Sequence, residues 1–135
     1  GLLNCPGVTQ LRYAGSYVQG VMAACNEIEQ NGATAHAMIV NPVDYYHQMM
    51  ANGGLLADLK SNGTLIVRTR MVAPGCALVG DFAVAARLLH RGQSAIRCGT
   101  PPEGTFASDG LAVCAEIYEG LAVHLPTHFF HAMPG

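Results

Sequence analysis

His124, His128 and His131 form an H-x3-H-x2-H set. On a helix these positions would share one side, where three imidazoles could bind zinc or a similar metal. Pro126 lies inside the set and Phe129-Phe130 favours a strand, on which His128 and His131 point to opposite faces. The spacing therefore predicts surface or interface histidines rather than metal ligands. Glu116 and Glu119 are the carboxylates of a long alternating stretch and could do general acid and base work. Three residues apart on a strand, however, they face opposite sides, and the expected arrangement is one solvated carboxylate and one paired with an arginine. Cys5, Cys25, Cys76, Cys98 and Cys114 are odd in number and lack C-x-x-C spacing, which fits a reducing compartment better than a disulfide framework. Small buried hydrophobes are their expected role. Catalysis by a cysteine with a histidine base needs partners that meet only in the fold, and no local nucleophile signature surrounds any of the five. The 16 glycines are scattered, with neither a G-x-G-x-x-G nor a G-x-x-x-x-G-K-[ST] phosphate loop. Tyr45-Tyr46 and Met49-Met50 read as core or interface. No catalytic, metal-binding or cofactor-binding residue is assigned, and no cofactor is expected.

The elements that would position these residues follow from periodicity. Ser16 is a good N-cap for a helix carrying Val18, Val21, Met22, Cys25 and Ile28 on one stripe, ending at Asn31-Gly32. His36 to Val40 reads as a short strand. Asn41 then caps a second helix with Pro42 in its first position; this helix runs to about Met50, with Val43, Tyr46, Met49 and Met50 near one face, and stops at Asn52-Gly53-Gly54. Leu55 to Asn62 reads as an exposed loop with a partial turn. Thr64 to Arg68 and Cys76 to Val79 are expected strands separated by the Ala73-Pro74-Gly75 turn. Phe82 to His90 suits a strand or a short helix, and a strand is favoured because Arg91-Gly92 is followed by a plausible return strand, Gln93 to Cys98. Gly99 to Gly104, with Pro101-Pro102, is a surface connection. Leu111, Val113, Ala115 and Ile117 alternate with their neighbours, and the pattern continues through Leu121, Val123 and Leu125. Read as one strand it would run about 15 residues, against an ordinary 5 or 6. Pro126 breaks it, and Thr127 to Ala132 is expected to return beside it.

Composition bounds the function. The chain has 135 residues, 50% hydrophobic and 12% charged, roughly half the usual charged fraction of a globular domain. Ample apolar surface excludes disorder. A net charge of −2 and a pI near 6.3 argue against a strong nucleic-acid clamp. Apolar stretches are all interrupted well before about 18 residues, so no membrane span is expected. The start at Gly1, without a signal-peptide pattern, reads as a processed product or an excised piece. The residues alone thus describe an α+β domain with one overlong strand, suited to a subunit that buries its faces against copies of itself.

The order of motifs resembles the major capsid proteins of tailed bacteriophages, with the Hong Kong ninety-seven type of shell fold. Gly1-Leu2-Leu3-Asn4-Cys5-Pro6-Gly7-Val8 looks like the G-L-L-N-x-x-G-V segment that follows the family's long spine helix. Ala37 to Tyr45 matches the V-x-N-P-x-D-[WY] strand-to-helix junction, the most specific of these signals. Gly63 to Val67, Val72-Ala73-Pro74-Gly75 and Val79-Gly80-Asp81-Phe82 match the stretch leading to a V-G-x-F turn. Cys114 to Val123 with Pro126-Thr127 look like the closing E-x-R-x-x-L-x-V-x-x-P strand and its return. Essentially all 135 positions are covered, and they correspond to the C-terminal part of a capsid subunit, without its N-terminal arm, extended loop and spine helix.

The resemblance implies an axial domain over about 16–93, built as a central mixed or antiparallel sheet flanked by two helices. Ala51 to Leu59 would include the loop nearest the capsomer axis. Peripheral-domain strands would occupy about 105–135 and form a long C-terminal β-ribbon. It also implies a structural, non-enzymatic subunit of a phage or prophage head, made in the bacterial cytoplasm and placed in the virion. Its partners would be copies of itself in pentamers and hexamers, together with a portal, a scaffold or a maturation protease. Packaged DNA would be met only indirectly, and no membrane. Some family members cross-link a lysine to an asparagine with help from a glutamate. Glu116 stands at the glutamate position, but Asp109 stands at the asparagine position and the lysine loop lies outside the chain, which argues against cross-linking. Tyr118 replaces the arginine common after that glutamate. A nanocompartment shell protein is the close alternative, and a small cysteine- or metal-dependent enzyme is the alternative from another class.

Overall fold

The computed structural model describes residues 1–51, 54–99 and 112–135. They form an α+β fold in two compact units, one comprising Gly1–Arg87 with Val123–Gly135 and the other Leu88–Ala122.

The larger unit is built on a mixed five-stranded sheet of order β1-β9-β4-β2-β3. Its strands are β1 (Thr9–Tyr13), β2 (Ala37–Val40), β3 (Leu65–Arg68), β4 (Ala77–Gly80) and β9 (Phe129–Pro134). β1 runs parallel to β9 and β3 parallel to β2, whereas β4 is antiparallel to both of its neighbours. Strand periodicity divides the side chains between two faces. Met38, Val40, Ala77, Val79, Phe130 and Ala132 point to one face, where α1 (Tyr17–Gln30) and α3 (Gly54–Ser61) cover them with Val21, Ala24, Ile28, Leu56 and Leu59. On the other face Leu78 and Phe129 pack with α4 (Phe82–Ala85) and with Leu2, Leu3 and Val8 of the N-terminal segment. The Phe82 and Phe129 rings meet edge to face, centroids 5.0 Å apart.

α1 begins as expected. The Gln19 N–H donates to the Ser16 hydroxyl while the Ser16 N–H donates to the Gln19 side chain, a reciprocal cap. It ends at Asn31, with Gly32 at φ +76°. α2 (Pro42–Met50) is capped by Asn41, and the Asn41 amide also donates to the Val72 carbonyl at 2.7 Å.

Several expectations are corrected. Residues 55–62, read as a loop, lie in α3 and just beyond it: Leu56 and Leu59 sit three apart and bury against the sheet, and that tertiary contact makes an eight-residue helix worthwhile. Residues 82–90, read as a strand, start as α4 because the Asp81 carboxylate caps the Val84 N–H at 3.2 Å; only Ala86–His90 is β5. Thr9–Tyr13 was not foreseen as a strand, although Leu11 and Tyr13 alternate with Gln10 and Arg12. The C-terminal residues do not return beside 111–125. β9 instead enters the sheet between β1 and β4, since adjacent Phe129 and Phe130 need cover on both faces and a sheet interior supplies it.

In the smaller unit, β6 (Ala95–Gly99) pairs antiparallel with β7 (Ala112–Glu116), and β5 pairs with β8 (Glu119–Val123). The expected β5–β6 hairpin is therefore not formed. The single strand expected over 111–125 is two five-residue strands, interrupted at Ile117-Tyr118. Opposite the interruption the segment Arg91–Ser94, which joins β5 to β6, leaves the strands, with Gly92 at φ +75°, so neither side continues the ladder; the Arg91 N–H donates to the Tyr118 carbonyl across this gap. No 15-residue strand, and hence no long ribbon of that kind, is present among the described residues. The expected loop terminator at 52–53, the 100–104 connection, Leu111 and Asp109 lie outside them.

Candidate functional site

The residues with chemical potential are dispersed. His124 follows β8 and is exposed, His128 closes a 3-10 turn at Pro126–His128, and His131 lies mid-strand in β9. Among the described residues no three His, Cys, Asp or Glu side chains are grouped to hold a metal. Burial lowers the His131 pKa. The His128 Nδ1 is buried without a hydrogen-bond partner.

Glu116 and Glu119 fall on different strands. Glu116 pairs with Arg97 across the β6–β7 ladder at 3.8 Å, and Glu119 with His90 at 3.4 Å. Glu116 is thus the carboxylate paired with an arginine, and Glu119 is the exposed one, beside a histidine that carries charge only when protonated. The cysteines split as well: Cys25 is buried, with its pKa pushed up to about 11 chiefly by desolvation and further by Glu29. Cys98 and Cys114 are exposed, contrary to the expectation of burial. Their strand register puts Cys98 opposite Val113 and Cys114 opposite Arg97, hence on opposite faces of the ladder.

What the fold does assemble is a clasp around the strand-to-helix junction. The Asn41 side chain accepts from the Val43 N–H at 3.0 Å while its amide holds Val72. One turn on, the Asp44 carboxylate accepts from the Gly75 N–H at 2.8 Å, and the Tyr13 hydroxyl donates to the Gly75 carbonyl. Gly75 adopts φ +80°, which only glycine takes without strain. Two residues of the N-P-x-D stretch thus fasten the 69–76 turn to the start of α2. Asp81 does the same for another connection, accepting from the Val84 and Thr34 N–H groups.

With Asn41 and Asp44 so committed, α2 is turned with its polar side inward. Asp44, Tyr45 and Gln48 are its more sheltered positions, and Val43, Tyr46, Met49 and Met50 are each more than half exposed. Of the two places expected for this apolar stripe, core or interface, the structure excludes the core of this chain: the stripe faces outward. Beside it the Arg68 guanidinium lies 4.9 Å from the Tyr45 ring centre and donates to the Tyr46 hydroxyl at 2.9 Å, and the Lys60 ammonium lies 5.8 Å from the Tyr45 ring. Among the described residues neither cation has an acidic partner within 4.0 Å. At the edge of the same sheet, Leu65 and Val67 are exposed and, with Ala37, Ile39 and Phe82, line an apolar groove of about 190 Å³. The smaller unit has no buried side chain among its described residues, and Leu88, Ile96, Val113, Ile117 and Leu121 are all exposed.

No family model matches the chain, and no curated protein matches it.

Proposed function

We propose that the chain is the C-terminal portion of a self-assembling structural subunit of an icosahedral phage or prophage head, closing into pentamers and hexamers with copies of itself. The observation that carries this reading is the outward apolar face of α2 on a chain with few charges. Exposed apolar patches of more than a few hundred Å² are uncommon on monomeric proteins and mark interaction surfaces. A head-to-tail contact repeated around a closed ring covers such a patch on every copy. Support also comes from the junction itself, where the residues of the N-P-x-D stretch set the rotation of α2 and so decide which side it presents. Within this reading the subunit acts by assembly alone, without catalysis or cofactor, and meets packaged DNA only indirectly.

Electron microscopy of the full-length parent tests it. Closed shells or capsomers are expected from the wild type, and their loss is expected from the Tyr46→Glu/Met50→Glu double variant, with an unchanged circular-dichroism spectrum. A parent that stays strictly monomeric or dimeric, with no shells or tubes under any condition, would overturn the reading.

A further inference from the structure

A cleft of about 340 Å³ lies between α1 and the segment that follows α3, within the larger unit and apart from the outward face of α2. One wall is a single face of α1, with Met22, Cys25, Asn26 and Glu29 at positions i, i+3, i+4 and i+7. The opposite wall is Thr34, Leu59 and Asn62. The floor is apolar, because Cys25, Ala35 and Leu59 are buried. The exposed rim, Asn26, Glu29, Thr34 and Asn62, is polar and uncommitted, and one buried polar residue, Thr64, lies below it. The Thr64 hydroxyl is spent on the Ala35 carbonyl at 2.9 Å, but among the described residues the side chains of Asn26, Glu29, Thr34 and Asn62 make no hydrogen bond or ion pair within the chain.

Among the described residues Glu29 is the one carboxylate lining the cleft, and it stands in the last turn of α1. Helix C-termini favour cations, because the final carbonyls carry partial negative charge. This last turn has no basic residue and holds Glu27 and Glu29 instead. The last carbonyls of α1 are capped by the Asn31, Gly32 and Ala33 N–H groups, so the negative charge at the mouth of the cleft is that of Glu29, which among the described residues has no basic partner within 4.0 Å. A bare divalent ion does not suit it, since one carboxylate flanked by amides is a poor ligand set for a hard cation. A cation carried on a short hydrocarbon stem suits both parts: the stem covers Leu59 and Met22, and the head takes Glu29 with the Asn26 and Asn62 carbonyls.

We propose that the cleft between α1 and α3 is a binding site for an alkylammonium or alkylguanidinium group, with Glu29 as its counter-ion and Asn26 and Asn62 as its hydrogen-bond partners. The group could be supplied by a free amine or by a basic side chain of a second copy, and the experiment separates the two sources.

The test is a titration of the isotope-labelled full chain with 1,5-diaminopentane, followed by nuclear magnetic resonance. Saturable shifts are expected at the Asn26 and Asn62 side-chain amides and at the backbone of residues 25–35. Glu29→Gln should weaken binding about 2- to 5-fold, the size expected of one exposed charge pair, whereas Glu27→Gln should change it less. Bound amine should also slow alkylation of Cys25 on the cleft floor. Equal shifts from 1-pentanol at the same concentration, or an unchanged titration in Glu29→Gln, would overturn the proposal. The chain has a single lysine, Lys60, which makes the source arm sharp. A zero-length carbodiimide link from Glu29 of one chain to Lys60 of another, suppressed by diaminopentane, assigns the cation to a second copy. Diaminopentane shifts without that link, from a chain that sediments as a monomer, assign it to a free amine; without the link from a chain that self-associates, they assign it to an arginine of a second copy.

Discussion

Asn41 is one of three buried polar side chains among the described residues. It is buried, and it serves at once as the cap of α2 and as a donor to Val72. Asn41→Asp keeps the cap but removes the donor, whereas Asn41→Ala removes both. Thermal or denaturant unfolding should rank them wild type, then Asp, then Ala, with the alanine variant losing about 2–3 kcal/mol from a lost cap plus an unsatisfied buried carbonyl. Cap and proline were legible in the sequence, because they act within four residues. The donation to Val72 spans 31 positions and was not legible. His131 offers a pH test. Its folded pKa lies below the ordinary 6.5 because burial disfavours the charged ring, so the unfolded chain binds the proton more readily. Its contribution is complete above pH 6.5 and is lost as pH falls through the depressed folded value. Melting temperature measured from pH 8 to pH 5 should fall in the wild type and fall less in His131→Gln. Cys25 acts in the opposite range: its thiol is raised from 9.0 to about 11, so its contribution is present below pH 9 and fades as pH climbs toward 11.

Elements whose signals are local were read correctly, and so were β2, β3 and β4 to within a residue; α3, β1 and the position of β9 in the sheet, which depend on remote partners, were not. The capped, striped α1 and the strand-to-helix junction at Asn41 are local. α3 is not, because its eight residues would not hold a helix in water without the sheet that Leu56 and Leu59 bury against. Leu56→Ala should therefore destabilise by about 2–5 kcal/mol, a cost that an exposed-loop leucine would not show in a urea melt. Between β4 and β9 the close approach is equally specific. A Cβ on Gly80 would run into the Phe129 ring and come within 2.9 Å of the His128 carbonyl, and Phe129 is fully buried. Gly80→Ala should cost as much as a large core truncation, and Phe129→Ala about 3–5 kcal/mol by the same urea melt. Alternation could find β7 and β8 but not the break between them, because continuity depends on the opposite segment, which leaves the strands at Gly92.

For the whole molecule, the consequence lies in the contrast between the two units. The larger has a two-faced core, and the smaller has no buried side chain among its described residues. Isolated two-stranded ladders are marginal in water, so amide exchange should be fast over 88–99 and 112–122 and slow in β4, β9 and α1. If the subunit assembles as proposed, exchange at the outward face of α2 should slow in the assembled state. Cys98 and Cys114 should react with a thiol reagent far faster than Cys25 in the native chain and at similar rates once it is unfolded. By itself the sequence determined the α+β class, the scarcity of charge, α1 and the capped start of α2. Each of these rests on composition or on contacts within a turn or two. Only the tertiary structure decided that β9 enters the sheet between β1 and β4, that residues 55–61 are helical, and that the apolar side of α2 faces out. The last of these has the clearest physical cause. An amphipathic stripe marks which side of a helix is apolar, but the rotation of α2 is set by Asn41 and Asp44, whose bonds to Val72 and Gly75 come from a turn some 30 residues away.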